Sequence, residues 1–159
     1  MHKIAISSAA LDRMTARMGK LHPFDAIGPR KTALLVIDMQ NYFVKQGHQG
    51  EIPLAREIVP NINRLAAGLR SRGGHVFWIR NGTRDTRESW STLHESLLTS
   101  DRVERRLAAM DIDGDGYAYW HLNDIRPEDA QITKTRYSAF SRAPRTSSNT
   151  YARATSTRS

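Results

Sequence analysis

Ala33-Leu34-Leu35-Val36-Ile37 is an unbroken apolar run of strand length, with no polar residue interleaved. Such a run reads as a strand covered on both faces, the habit of a parallel sheet, and it predicts a first strand over about 32–37. From Leu54 to Arg72 the period changes. Leu54, Ile58, Ile62, Leu65 and Leu69 recur at spacings of three and four, which predicts an amphipathic helix with one apolar stripe. Pro60 fits the first turn of that helix or kinks a longer one, and Gly73-Gly74 stops it. His75-Val76-Phe77-Trp78-Ile79 is aromatic and β-branched, a second strand. Strand, helix and strand over this length predict a right-handed βαβ unit.

The flanking segments carry weaker signals. Ser7-Ser8 can cap a short helix through Met18, ended by Gly19. His22-Pro23 and Gly28-Pro29 then punctuate a loop, so residues 1–30 read as an N-terminal arm that packs on the domain or on a partner subunit. Residues 84–110 read as broken helix. Trp90, Leu93 and Leu97 share one face, Val103 and Leu107 another, and Arg102, Glu104, Arg105 and Arg106 form a solvated face. Asp111 to Gly116 imitates the opening of an EF-hand loop, but the twelfth position, which should be a bidentate glutamate, is Leu122. A tight acidic turn is the better reading, and no metal is expected. His48, alone in a polar glycine-rich loop, reads as a surface residue. After a turn at Ile125 to Asp129, Ala130 to Thr133 is a short third strand with Lys134 at its end.

These strands end on polar residues. Asp38 follows the first, Asn81 the second, Lys134 the third. In open α/β sheets the carboxyl ends of the strands are where ligands bind, and parallel strands place those ends side by side. A partly desolvated carboxylate there can serve as a base. The plainer readings are a cap for Asp38, a turn residue beside Gly82 for Asn81 and a surface lysine for Lys134.

At 159 residues the chain is one domain by length, large enough to bury a core. It has no apolar run long enough to span a membrane and no signal-peptide core at its start, so the cytoplasm is expected. The formal net charge of +8 invites a nucleic-acid partner. Its placement argues against one. Residues 141–159 hold Arg142, Arg145, Arg153 and Arg158 and no acid, which leaves 20 basic against 16 acidic residues, or +4, over 1–140. Aromatics do not interleave with the basic positions as a stacking surface requires. The segment 141–159 has no Val, Ile, Leu, Met or Phe, cannot bury enough apolar surface to offset its ordering entropy, and reads as a disordered basic tail. There is no cysteine anywhere, which removes disulfides, thiolate metal sites and a cysteine nucleophile together.

The run V-I-D-M-Q-N-Y-F at Val36 to Phe43 resembles the first motif of the isochorismatase-like cysteine hydrolases. Ile132 to Phe140, ITKTRYSAF, resembles that family's lysine motif, K-x-R-Y-S-x-F. The likeness covers roughly residues 31–140. It implies a three-layer α/β fold on a mainly parallel Rossmann-like sheet, of which this chain holds only the first half. It implies catalysis by an Asp–Lys–Cys triad without a cofactor. Asp38 would be the base that takes the thiol proton and Lys134 the cation that holds developing negative charge. In ureidoacrylate-type members, residues at the places of Phe43, Asn81 and Tyr137 look toward a small substrate. Core packing for Phe43 and simple packing for Tyr137 are the plainer alternatives. The chain departs from those members at Thr83, where they have tryptophan.

In the family the sheet continues through another strand and a glycine turn to the cysteine, whose neighbouring backbone amides form the oxyanion hole. The polar tail replaces that segment, and Ser147 and Ser148 have no strand–turn–helix to present them. The resemblance therefore implies a truncated hydrolase of a small amide or ureido-type substrate, by descent, inactive as written. A non-catalytic ligand-binding or interaction module is the alternative. The switch in character at Ser141 suggests an altered reading frame; the other frames after the Phe140 codon should then encode an apolar strand and a cysteine. A first strand robbed of its neighbour should leave an open edge, favouring aggregation or a homo-oligomer.

Overall fold

The computed structural model describes residues 5–22, 24–84 and 90–141. The expected tail beyond Ser141, with Ser147 and Ser148, lies outside the described residues. Three strands form one all-parallel sheet in the order β1-β2-β3, with β1 at Ala33–Ile37, β2 at His75–Asn81 and β3 at Ala130–Lys134. Helix α1 is Ser8–Met18, α2 the single turn Asn41–Val44, α3 Ala55–Arg70 and α4 Ser100–Ala109; Thr92–Leu97 adds a wide π-type turn before α4. The chain is α/β, and α3 is the helix that joins β1 to β2 and lies against both.

The core forms where α3 meets the sheet. Val36, Val76 and Trp78 from the strands pack with Val59 and Ala66 of α3, and with Met39 and Val44. The helix is rotated from the expected stripe. Val59, Ile62, Ala66 and Leu69 face the sheet, whereas Leu54, Ile58 and Leu65 are exposed. The sequence holds two adjacent stripes with the same helical period, and sheet contact selected the one containing the smaller Val59 and Ala66. At the end of α3, Gly73 takes φ +76° and the Gly74 amide donates to the Leu69 carbonyl, the left-handed stop that Gly73-Gly74 predicts. Helix α1 also stops at a left-handed glycine, Gly19, and has no buried residue.

A charged clamp fixes the third strand to this layer. Arg70, at the end of α3, presents a two-pronged guanidinium to Asp129: Nε donates to Oδ1 at 2.8 Å and Nη2 to Oδ2. Arg70 also donates to Asp124 Oδ2 (3.0 Å) and to the Asp124 carbonyl (2.6 Å). Trp78 Nε1 and the Arg126 amide donate to the same Asp129 oxygen, Oδ2. Burial pushes the Asp129 carboxyl up, but the hydrogen bonds from Arg70, Arg126 and Trp78 outweigh it and hold the group below its ordinary range. One carboxylate, immediately before β3, thus ties helix, central strand and third strand together.

The opposite sheet face is partly bare. The register puts Leu35 and Phe77 on one row, and Ile37, Ile79 and Ile132 on the next. Ile79 is buried, but Leu35, Ile37 and Ile132 are 39%, 46% and 41% exposed. Within the described residues β1 is an edge strand. The Asp38 amide donates to Ile79 O and the His75 amide to Thr32 O. By the alternation of a parallel ladder, the peptide groups of Ala33, Leu35 and Ile37 therefore point away from the sheet.

Candidate active site

Asp38 leaves the sheet with φ +63°, in the left-handed region where aspartate is one of the few tolerated side chains. Its amide still reaches Ile79 O at 2.8 Å, so the turn comes directly after the last ladder bond. At the end of β3, Lys134 is buried and stands in register with Asn81. Lys134 Nζ lies 3.3 Å from Asp38 Oδ1 and donates to the Tyr137 carbonyl at 3.2 Å. The contact with Asp38 is an ion pair rather than an aligned hydrogen bond, because Oδ1 is enclosed without a hydrogen-bond partner. Burial raises the Asp38 carboxyl above its ordinary value; Lys134, and beyond it Arg106, pull in the other direction without cancelling this.

The strand ends are held in place by a side chain that the sequence reading did not single out. Gln40 is fully buried and continues the ladder where β1 has finished. Its Oε1 accepts from the Asn81 amide at 2.6 Å, and its Nε2 donates to the Asn81 carbonyl at 3.1 Å and to the Gly116 carbonyl at 2.9 Å. The carboxamide imitates a peptide group. A polar residue between Met39 and the aromatic pair Tyr42-Phe43 is the only signal the sequence offers for it.

Gly116 belongs to the acidic turn. Asp115–Tyr117 is a 3-10 turn, and the Asp115 carboxylate is occupied by Lys45 Nζ (2.9 Å) and His48 Nε2 (2.9 Å). His48 is thus a bonded residue, not a bare surface one. A Cβ on Gly116 would stand 2.7 Å from the Ala109 carbonyl, so only glycine lets the turn approach the end of α4 so closely. Among the described residues no three His, Asp or Glu side chains gather to hold a metal ion.

Asn81 is buried at the same edge, and its Oδ1 has no hydrogen-bond partner. Tyr137 is 71% exposed and stacks on Trp90 with ring centroids 4.1 Å apart. Phe43 is placed differently. It packs against the core under the sheet and meets Tyr42 edge-on at 5.0 Å, the plainer of its two readings. Its neighbour Tyr42 instead turns toward Arg106, whose guanidinium carbon is 5.7 Å from the Tyr42 ring and 4.7 Å from Trp90. Arg106 corrects the expected solvated face of α4: Arg102, Glu104 and Arg105 are exposed as expected, but Arg106 is only 7% exposed. On a ten-residue helix one charged position had to share the side that carries Val103, and the rings of Tyr42 and Trp90 cover it.

The strand ends of a parallel sheet therefore bring a raised carboxylate within 3.3 Å of a buried ammonium, with a carboxamide of unsatisfied oxygen in register with the ammonium's strand position. That is the polar half of a site for general-base and electrostatic chemistry. A sequence profile of the Isochorismatase domain matches residues 32–150, and the chain belongs to this family. Over 116 residues it is 34% identical to a protein of Arabidopsis thaliana named "Probable inactive nicotinamidase", covering 70% of this chain and 55% of that one. Over 134 residues it is 29% identical to a ureidoacrylate amidohydrolase of Klebsiella pneumoniae, covering 75% and 56%. The chain spans about half the length of the curated relatives it matches. The solved cysteine hydrolase of Pseudomonas syringae pv. phaseolicola shares its fold, with a TM-score of 0.57 at 20% identity over 72% of this chain and 51% of that one. Among the described residues no helix is long and apolar enough to cross a membrane.

Proposed function

We propose that this chain keeps the substrate crevice of an isochorismatase-family hydrolase of small amide or ureido-type compounds, and that as it stands it binds such compounds without hydrolysing them. The observation that carries this reading is the Asp38–Lys134 pair at 3.3 Å, beside the unsatisfied Asn81 oxygen. Asp38, raised by burial, is suited to accept a proton. Lys134 is suited to hold negative charge on a carbonyl oxygen, and Asn81 to orient a polar end of the ligand. Tyr137, stacked on Trp90, offers an aromatic wall at the mouth. Covalent catalysis in this family needs a thiol, and the chain has no cysteine. The names of its relatives support the substrate class: one acts on ureidoacrylate, another, from Arthrobacter, on N-carbamoylsarcosine, and a third is named as inactive.

Ammonia release and calorimetric binding, measured on the same purified chain with N-carbamoyl-β-alanine and nicotinamide, test this. Binding without ammonia is expected. Turnover at a rate unchanged by Asp38→Asn would remove the carboxylate from its role, and absence of binding to both compounds would remove the crevice.

A further inference from the structure

Arg106 is the buried charge that this reading leaves unused. It is 7% exposed, yet among the described residues no carboxylate lies within ion-pair distance of it. The acid on the previous turn, Asp101, pairs with Arg105 instead. One donor, Nη1, meets the Met110 sulfur at 3.1 Å, a weak acceptor. Its guanidinium carbon lies over the Trp90 ring at 4.7 Å and over the Tyr42 ring at 5.7 Å. Stacking uses the face of a guanidinium and leaves its edge, where the N–H groups lie, directed outward in the plane. A buried cation is costly unless it is paired and hydrogen-bonded, and a sulfur and two rings are a thin substitute for a carboxylate.

The position of Arg106 joins it to the crevice. Trp90, on which it lies, stacks in turn on Tyr137, whose carbonyl holds Lys134. Arg106 is also close enough to Asp38 for each to act on the other's charge. Two cations thus stand at different places: Lys134 beside the base, and Arg106 against the rings of Tyr42 and Trp90. Lys134 is engaged by Asp38, whereas among the described residues Arg106 Nε and Nη2 have no protein acceptor and Nη1 meets only the Met110 sulfur.

We propose that Arg106 is a binding residue for a carboxylate on the far end of the ligand, so that this site prefers small acids carrying an amide or ureido group to their neutral counterparts. A guanidinium edge matches a carboxylate with two parallel hydrogen bonds, a pairing that neither Lys134 nor Asn81 can make. This rests on the crevice reading above.

The test uses N-carbamoylglycine and its neutral counterpart N-carbamoylglycinamide, titrated calorimetrically into the full chain at neutral pH. The acid should bind more tightly by about tenfold or more, the scale of a charge-assisted hydrogen bond. Arg106→Met should abolish that preference and leave binding of the neutral compound nearly unchanged. Arg106→Lys, which keeps the charge but not the fork, should recover only part of it. Equal affinity of the wild-type chain for the two compounds overturns the inference without any variant, while leaving the crevice itself in place. A preference that survives Arg106→Met but vanishes in Lys134→Met overturns it in favour of Lys134. Failure of both compounds to bind would fell the crevice reading, and this inference with it.

Discussion

Asp38 occupies a left-handed backbone conformation, at the rim of a sheet, with one carboxylate oxygen enclosed and unbonded. Each of these costs free energy, the backbone alone on the order of 1 kcal/mol. Such local cost at a strand end is what a binding edge displays. Desolvation dominates its ionisation, so its carboxyl carbon, followed by NMR, should titrate above the ordinary value of 3.8. Lys134→Met and Arg106→Met should each move that midpoint further up, because both cations favour the ionised form. A midpoint at or below the ordinary value would show that Lys134, not burial, governs the group. Gln40 makes the second prediction at this scale. Gln40→Leu keeps the volume but orphans the amide and carbonyl of Asn81 and the Gly116 carbonyl. At roughly 1 kcal/mol or more for each buried orphan, chemical denaturation should show a loss of about 3 kcal/mol.

At the level of elements, β3 depends on a clamp rather than on its own residues. Ala130–Lys134 is a short strand with Gln131 and Ile132 exposed, yet it carries Lys134 to the crevice. The pin is Asp129 against Arg70. Removing one partner of a buried pair leaves the other charge unmatched, so Asp129→Ala should cost about 3 kcal/mol or more in a denaturation midpoint. The same group sets an acid dependence. Its folded pKa is lowered relative to the unfolded chain, so its contribution is present above the ordinary aspartate value and is lost as pH falls through the lowered one. Stability measured from pH 5 downward should decline in that window, and the decline should be smaller in Asp129→Asn. A pH profile identical in both chains would assign the acid sensitivity elsewhere. Helix α3 carries a related lesson. Its existence and its stop at Gly73 were readable from periodicity and glycine chemistry, but its rotation was chosen by which stripe fits the sheet.

For the whole molecule, the sheet formed by the described residues has an open side. Ala33, Leu35 and Ile37 direct their peptide groups outward from β1, and the row of Leu35, Ile37 and Ile132 lies beside them, exposed. An unpaired edge next to an apolar face is a template for another strand. We expect the chain to self-associate: light scattering should show particles larger than 18.0 kDa, growing with concentration. Leu35→Lys with Ile37→Thr should reduce them. A chain that stays monomeric at high concentration, with one cooperative thermal transition, would contradict this.

Much was decided by local chemistry. An unbroken apolar run, a change to helical period and a glycine pair suffice to dictate strand, helix and strand. Asp38 and Lys134 follow their strands directly, so they reach the same edge once the strands lie parallel, and the lack of cysteine is a fact of composition. Tertiary packing decided what periodicity cannot encode. It turned Phe43 to the core and Tyr42 toward Arg106, made Gln40 a substitute peptide, and covered Arg106 with rings from distant parts of the chain. The reason is physical. Backbone preference acts over a few neighbouring residues, but whether a charge is buried, and beside what, depends on surfaces that meet only after the sheet has formed.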